Sequence, residues 1–174
     1  LEVLLLSDRI DEWMMSSLNE FEGKSFQDVT KGKLDISEEE TEETKKQKEE
    51  QAEQLKPLLD RMKTVLSEQV AEVSSTDRLT NSPACLVVGE HDMGLQMRRL
   101  LEQAGQQLPD SKPTLEINPE HPIVVKMDAE SDDERFADMT WLLFEQATLS
   151  EGGQLEDPAT FVSRMNKLIV QLSQ

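Results

Sequence analysis

"SDDERFADMTWLLFEQATLSEGGQLEDPATFVSRMNKLIVQL", residues 131 to 172, reads as a pair of helices joined by a glycine turn. Ser131 with Glu134 forms a capping box that opens a helix over residues 132 to 149. Gly152 and Gly153 give the backbone freedom that ends it, and Asp157 followed by Pro158 caps and starts a last helix running to about Leu172. On that helix Phe161, Met165, Leu168, Ile169 and Leu172 recur at helical spacing, and Val162 widens the stripe. The preceding helix, with Phe136, Met139, Leu142, Leu143 and Phe144, is also apolar over more than one face. One small domain cannot cover two such faces, so the hairpin is expected to form half of a four-helix bundle that a second copy completes, making a homodimer.

Upstream, the pattern changes from helix to strand and back. "LEVLLL" (1 to 6) is a continuous apolar run, as expected of a strand buried on both faces. Ile10, Met14 and Leu18 then follow at i, i+4, i+8, and a short β-like "SFQDVT" (25 to 30) comes after Gly23. The three segments predict a βαβ unit, the tail end of a larger α/β domain lying upstream. From Asp35 to Gln54 apolar residues almost vanish; Ser37 with Glu40 is a capping box and Glu42 with Lys46 a favourable helical pair, so a solvated connecting helix is expected rather than a disordered linker. Pro57 is expected to interrupt it, after which Leu55, Leu58, Leu59, Met62 and Leu66 mark one stripe of a packed helix reaching about Gln69.

"VAEVSS" and "ACLVVG", separated by turn-rich "TDRLTNSP", predict an antiparallel pair, with "TLEIN" (114 to 118) a third strand. "HPIVVKM" predicts a short helix. Between the second and third strands lies "EHDMGLQMRRLLEQAG" (90 to 105), a helix of about three turns with Asp92 as N-cap and Gly105 just past its end. Met93, Met97, Leu100 and Leu101 fall on one face of it, with Arg98 and Arg99 on the flank. Periodicity alone predicts that this face packs on the sheet. Methionine, however, suits surfaces that accept many shapes, and Gly94 in the first turn weakens the helix by up to ~1 kcal/mol relative to Ala. Leu95 points off the stripe and is the candidate anchor.

Composition narrows the function. With 36 Asp and Glu against 18 Lys and Arg, the formal charge of −18 repels phosphate backbones and anionic lipid, so neither nucleic acid nor membrane is expected as a partner. A single cysteine, Cys85, cannot form an internal disulfide, and with only two histidines no usual zinc site is available; a reducing, cytoplasmic setting is expected. Gly23-Lys24-Ser25 resembles the end of a phosphate-binding loop, but Leu18 stands where the first glycine belongs and a helix where the strand should be, so it reads as a turn leading into a strand. His91 and His121 each sit beside a helix start and read as caps or surface residues. The "SEEETEE" run lacks the calcium-loop pattern and reads as a solvated face. No catalytic or metal residue is assigned.

Together, "VLLLSDRIDEWMM", "DRLTNSPACLV", "LEINPEHPIV" and "LEDPATFVSRMNKLI" resemble the heat-shock 90 kDa chaperone family, closest to its bacterial branch, HtpG. The resemblance covers nearly the whole chain apart from residues 31 to 54. It implies an α/β (α+β) fragment in three parts. Residues 1–36 are the end of the middle domain, 37–56 an acidic connecting helix or linker, and 57–174 the C-terminal dimerisation domain with a three-stranded sheet and the terminal hairpin. It further implies an ATP-dependent chaperone whose ATP and magnesium site lies in an N-terminal domain outside this chain, so that no cofactor and no catalysis are expected of this piece. Unfolded or partly folded client proteins are the implied partners, with Trp13 joining Met93, Met97, Leu100 and Leu101 at the contact. Ending at Gln174 without an acidic pentapeptide, the chain is not expected to dock tail-reading co-chaperones. The competing expectation is an adaptor or assembly domain that binds one fixed protein partner tightly, where a chaperone surface accepts several weakly.

Overall fold

The structure is a computed structural model and describes residues 2–6, 8, 10–18, 20–28, 42–89, 92–94, 97–98, 101, 104–106 and 111–172. The Ser37–Glu40 capping box, His91, Leu95, Arg99 and Leu100 lie outside the described residues. The fold class is α+β: among the described residues, five helices accompany two small sheets. The chain divides into two compact units, one made of Leu1–Leu34 and Val88–Ser111, the other of Asp35–Val87 and Lys112–Gln174.

In the second unit, α2 (Glu42–Leu66) leads to a sheet of β3 (Glu72–Ser75), β4 (Ala84–Val87) and β5 (Thr114–Ile117). The helices α3 (Pro122–Asp128), α4 (Asp133–Ser150) and α5 (Pro158–Leu172) complete it. The expected pairing of the first two strands is corrected here: the order is β3-β5-β4, with β5 parallel to β3 and antiparallel to β4. Period-two alternation fixes which face of a strand is buried but not which strand lies beside it. Central placement buries Leu115 and Ile117 completely, in register with Leu86 and Ala84 on one side and Val73 and Ser75 on the other. The loop expected to be a hairpin turn is instead tied to the far end of β5. Asn118, itself buried, donates from Nδ2 to the carbonyls of Leu79 (3.2 Å) and Thr80 (3.5 Å), and its backbone N–H donates to Pro83 (2.9 Å).

The apolar stripe of α2 behaves as its spacing predicts, with Leu58, Met62 and Leu66 buried. Pro57 does not interrupt the helix, which runs through it from Glu42. A mid-helix proline removes one backbone donor and costs about 3 kcal/mol relative to alanine. Burying Leu58, Met62 and Leu66 at roughly 1.5–3 kcal/mol each outweighs that cost. The helix packs against β3 and α4, α4 also packs along β4, and α5 lies on α4.

The first unit corrects the βαβ expectation. Helix α1 (Asp11–Ser17) forms, but residues 2 to 6 are not a strand, and Val3, Leu4, Leu5 and Leu6 are exposed, Leu5 at 92%. A β-strand is stable only as part of a ladder, and among the described residues no segment pairs with this one. After α1 comes a two-stranded antiparallel hairpin, β1 (Glu20–Phe21) and β2 (Lys24–Ser25), so the β-like segment expected from 25 to 30 contributes only Ser25 to a strand among its described residues. Glu22 (φ 50°) and Gly23 (φ 76°) both adopt the left-handed backbone that two-residue hairpin turns require. Gly23-Lys24-Ser25 is therefore the exit of this turn, as the failed phosphate-loop reading anticipates.

Candidate functional site

Two surfaces carry the residues singled out above. The terminal hairpin is defined by its caps. The N-cap of α4 is Asp132, not Ser131: its Oδ1 accepts the Arg135 N–H at 2.8 Å, and hydrogen bonds to Arg135 and Glu134 N–H groups hold its carboxyl below the ordinary value. A carboxylate one residue later reaches the same orphan donors and adds a favourable charge at the positive end of the helix. The helix stops where the glycines predict. Gly152 (φ 72°) donates to Leu149 and Gly153 to Thr148, a Schellman termination. Asp157 then caps α5, accepting the N–H groups of Ala159 (3.1 Å) and Thr160 (3.0 Å) on Oδ1 and the Thr160 hydroxyl on Oδ2.

Ionic contacts lay α5 against α4. Arg164 places Nη1 2.9 Å from Glu145 Oε1 and its guanidinium 4.9 Å from the centre of the Trp141 ring. Lys167 bridges Glu134 (2.6 Å) and Asp138 (2.7 Å), and these hydrogen bonds raise its own basicity. Of the expected interface residues, Phe136, Leu142 and Leu143 are buried within this chain, Phe136 beneath the Arg61 guanidinium at 3.7 Å from its ring centre. Met139, Phe161 and Leu168 are half-buried. Val162, Met165 and Ile169 are exposed on α5, at 46%, 37% and 53%, and Val170, which the stripe did not include, is exposed beside them. The side chain of Leu172 lies outside the described residues.

The second surface belongs to the first unit. Trp13 on α1, Met93, Met97 and Leu101 all fall in that one unit although far apart in the sequence. Trp13 and Met93 are exposed, Met97 and Leu101 half-buried, and Gly94 is buried. The backbone is helical at Met97, Arg98 and Leu101, with the Arg98 N–H donating to the Gly94 carbonyl at 3.0 Å. Gly105 (φ 79°) ends the turn as expected, passing the Gln106 N–H back to Leu101 at 3.0 Å. Asp92 Oδ2 accepts the Gly89 N–H at 3.2 Å and the Ser111 hydroxyl at 3.1 Å, while the Leu95 N–H that its expected capping would use lies outside the described residues. Sequence reading missed this contact because Ser111 lies beyond the reach of any local motif.

The remaining polar candidates have structural roles. His121 Nδ1 caps α3 by accepting the Ile123 N–H at 3.2 Å. Cys85 lies opposite Glu116 on the neighbouring strand, and burial, then the Glu116 charge, push its thiol up to about 11, so it is a poor nucleophile at neutral pH. Among the described residues no three His, Cys, Asp or Glu side chains gather where they would hold a metal ion, and no helix is long and apolar enough to cross a membrane.

A capped and ion-paired terminal hairpin, a mixed three-stranded sheet and a methionine-bearing excursion between its second and third strands are thus all present. The family profile described as Hsp90 protein matches residues 1–173. The chain belongs to the Hsp90 family. It is therefore part of the heat-shock chaperone group, and the excursion and the hairpin are the two surfaces of this Hsp90 chain that need a functional account.

Proposed function

We propose that this chain is the dimerising and client-contacting portion of an ATP-dependent chaperone of the bacterial HtpG type, working in the cytoplasm. In this reading residues 1–36 end a middle domain, 37–56 connect, and 57–174 form the dimerisation domain. ATP and magnesium belong to a domain outside this chain, and this portion hydrolyses nothing. The observation that carries the reading is the asymmetry of α5: Arg164 and Lys167 fasten one side to α4, while Val162, Met165, Ile169 and Val170 are left in solvent on the other. A second hairpin related by a two-fold axis presents the same residues and buries both sets. Phe136, Leu142 and Leu143 then support the interface from within each subunit rather than touching the partner.

The client surface comprises Trp13, Met93, Met97, Leu100 and Leu101. Dimerisation gives each client two copies of it, so weak contacts act together through effective concentration. Sedimentation tests both parts. Met165→Glu with Ile169→Glu is expected to give a folded monomer; a double variant that still sediments as a dimer removes α5 from the interface. Replacing Met93, Met97 and Leu101 by Ser or Asn is expected to weaken binding of several unrelated unfolded chains with little change in melting temperature. Loss of stability with unchanged binding shows that the stripe is core.

A further inference from the structure

We infer that Asp92, Ser111 and Arg98 form a clasp that positions the methionine segment for client contact, an inference that rests on the client-binding reading above. The segment from Val88 to Ser111 leaves the chain after β4 and rejoins it before β5, and its ends are joined at one carboxylate oxygen. Asp92 Oδ2 accepts from the Gly89 N–H (3.2 Å) at the departing end and from Ser111 Oγ (3.1 Å) at the returning end. Arg98, in the helical stretch, donates from Nη1 to the Ser111 carbonyl at 3.1 Å. Ser111 is thus held from both sides, by the residue just before Met93 and by the residue just after Met97.

Gly89 completes the clasp by its lack of a side chain. A Cβ there would stand 2.8 Å from Asp92 Oδ2, closer than such atoms approach, so any other residue displaces the carboxylate. The helix needs this external support. Gly94 in the segment disfavours helix, and Gly105 ends its last described turn. Closing the loop at its base lowers the number of arrangements open to Met93 and Met97 before a client arrives, which reduces the ordering cost of binding. Asp92 and Ser111 are positioning residues, acting through the segment they hold rather than by touching the client.

The test uses the full chain and an unfolded, carboxamidomethylated lysozyme as probe. Ser111→Ala removes one bond of the clasp, and Gly89→Ala displaces the carboxylate while leaving every hydrogen-bonding group in place. Each is expected to speed amide exchange at Arg98 and Gln106, whose N–H groups bond within the segment, while amides of β5 keep their protection. Each is also expected to weaken probe binding by roughly three- to tenfold, the range that one lost hydrogen bond allows, with melting temperature unchanged. Asp92→Asn, which keeps an acceptor oxygen, is expected to fall between wild type and Asp92→Ala. Unchanged exchange at Arg98 and Gln106 overturns the clasp. Faster exchange with unchanged binding overturns its positioning role, provided Met93→Ser with Met97→Ser does weaken binding. If neither set of variants alters binding, the client reading falls and the positioning role falls with it.

Discussion

Arg164 on α5 stands with Nη1 2.9 Å from Glu145 Oε1 on α4, and the other Glu145 oxygen is buried without a hydrogen-bond partner. The pair fixes how the two helices lie, at the cost of an incompletely solvated carboxylate. Burial first, and the Asp157 charge to a lesser degree, raise the Glu145 pKa above its ordinary 4.5 despite Arg164. Arg164→Ala leaves this carboxylate without its hydrogen-bonded cation and is expected to lower stability by about 2 kcal/mol, measurable by urea unfolding.

The same raised pKa has a definite sign. The folded chain binds the Glu145 proton more readily than the unfolded chain, so the charge opposes folding at neutral pH, and that opposition fades as pH falls through the folded value towards 4.5. The stability of the wild type relative to Glu145→Gln is therefore expected to rise on acidification across that window. A difference that is flat or falls shows that Arg164 more than offsets the burial.

Asp157 behaves oppositely. Its hydrogen bonds to Thr160, side chain then backbone, lower its pKa below 3.8, so its contribution is present above 3.8 and disappears as pH falls through the lower folded value. Asp157→Ala is expected to lower stability at pH 7, as loss of an N-cap does, and the difference from wild type is expected to narrow in strong acid. Calorimetry at a series of pH values checks it.

Asn118 joins β5 to the loop from Leu79 to Pro83, and its Oδ1 also accepts the Glu120 N–H at 3.0 Å. Asn118→Ala is expected to lose about 1–3 kcal/mol, because the half-buried carbonyl of Leu79 is left unpaired. A loss below about 0.5 kcal/mol, the range of ordinary surface substitutions, argues that water replaces these bonds.

Pro57 sits exposed inside α2. Pro57→Ala restores a backbone donor and is expected to stabilise the chain by about 2 kcal/mol, the helical gain of about 3 kcal/mol being partly offset by greater freedom of the unfolded chain. A lower melting temperature for this variant shows that the proline favours a bend that packing needs.

What the sequence determined by itself is what depends on neighbours within about one helical turn. The stop at Gly152 and Gly153, the start at Asp157-Pro158, the turn past Gly105 and the buried row Leu58, Met62, Leu66 were all legible, because caps and helical spacing are local chemistry. Tertiary structure alone decided the rest. It put β5 between β3 and β4, because alternation names a strand's faces and not its neighbours. It left residues 3 to 6 exposed where their apolarity predicts burial, because a strand forms only against another strand. It divided one apolar hairpin into core at Phe136 and open surface at Ile169, because periodicity counts apolar faces without counting what arrives to cover them. And it joined Asp92 to Ser111, a contact set by where the returning chain passes and by no property of either residue alone.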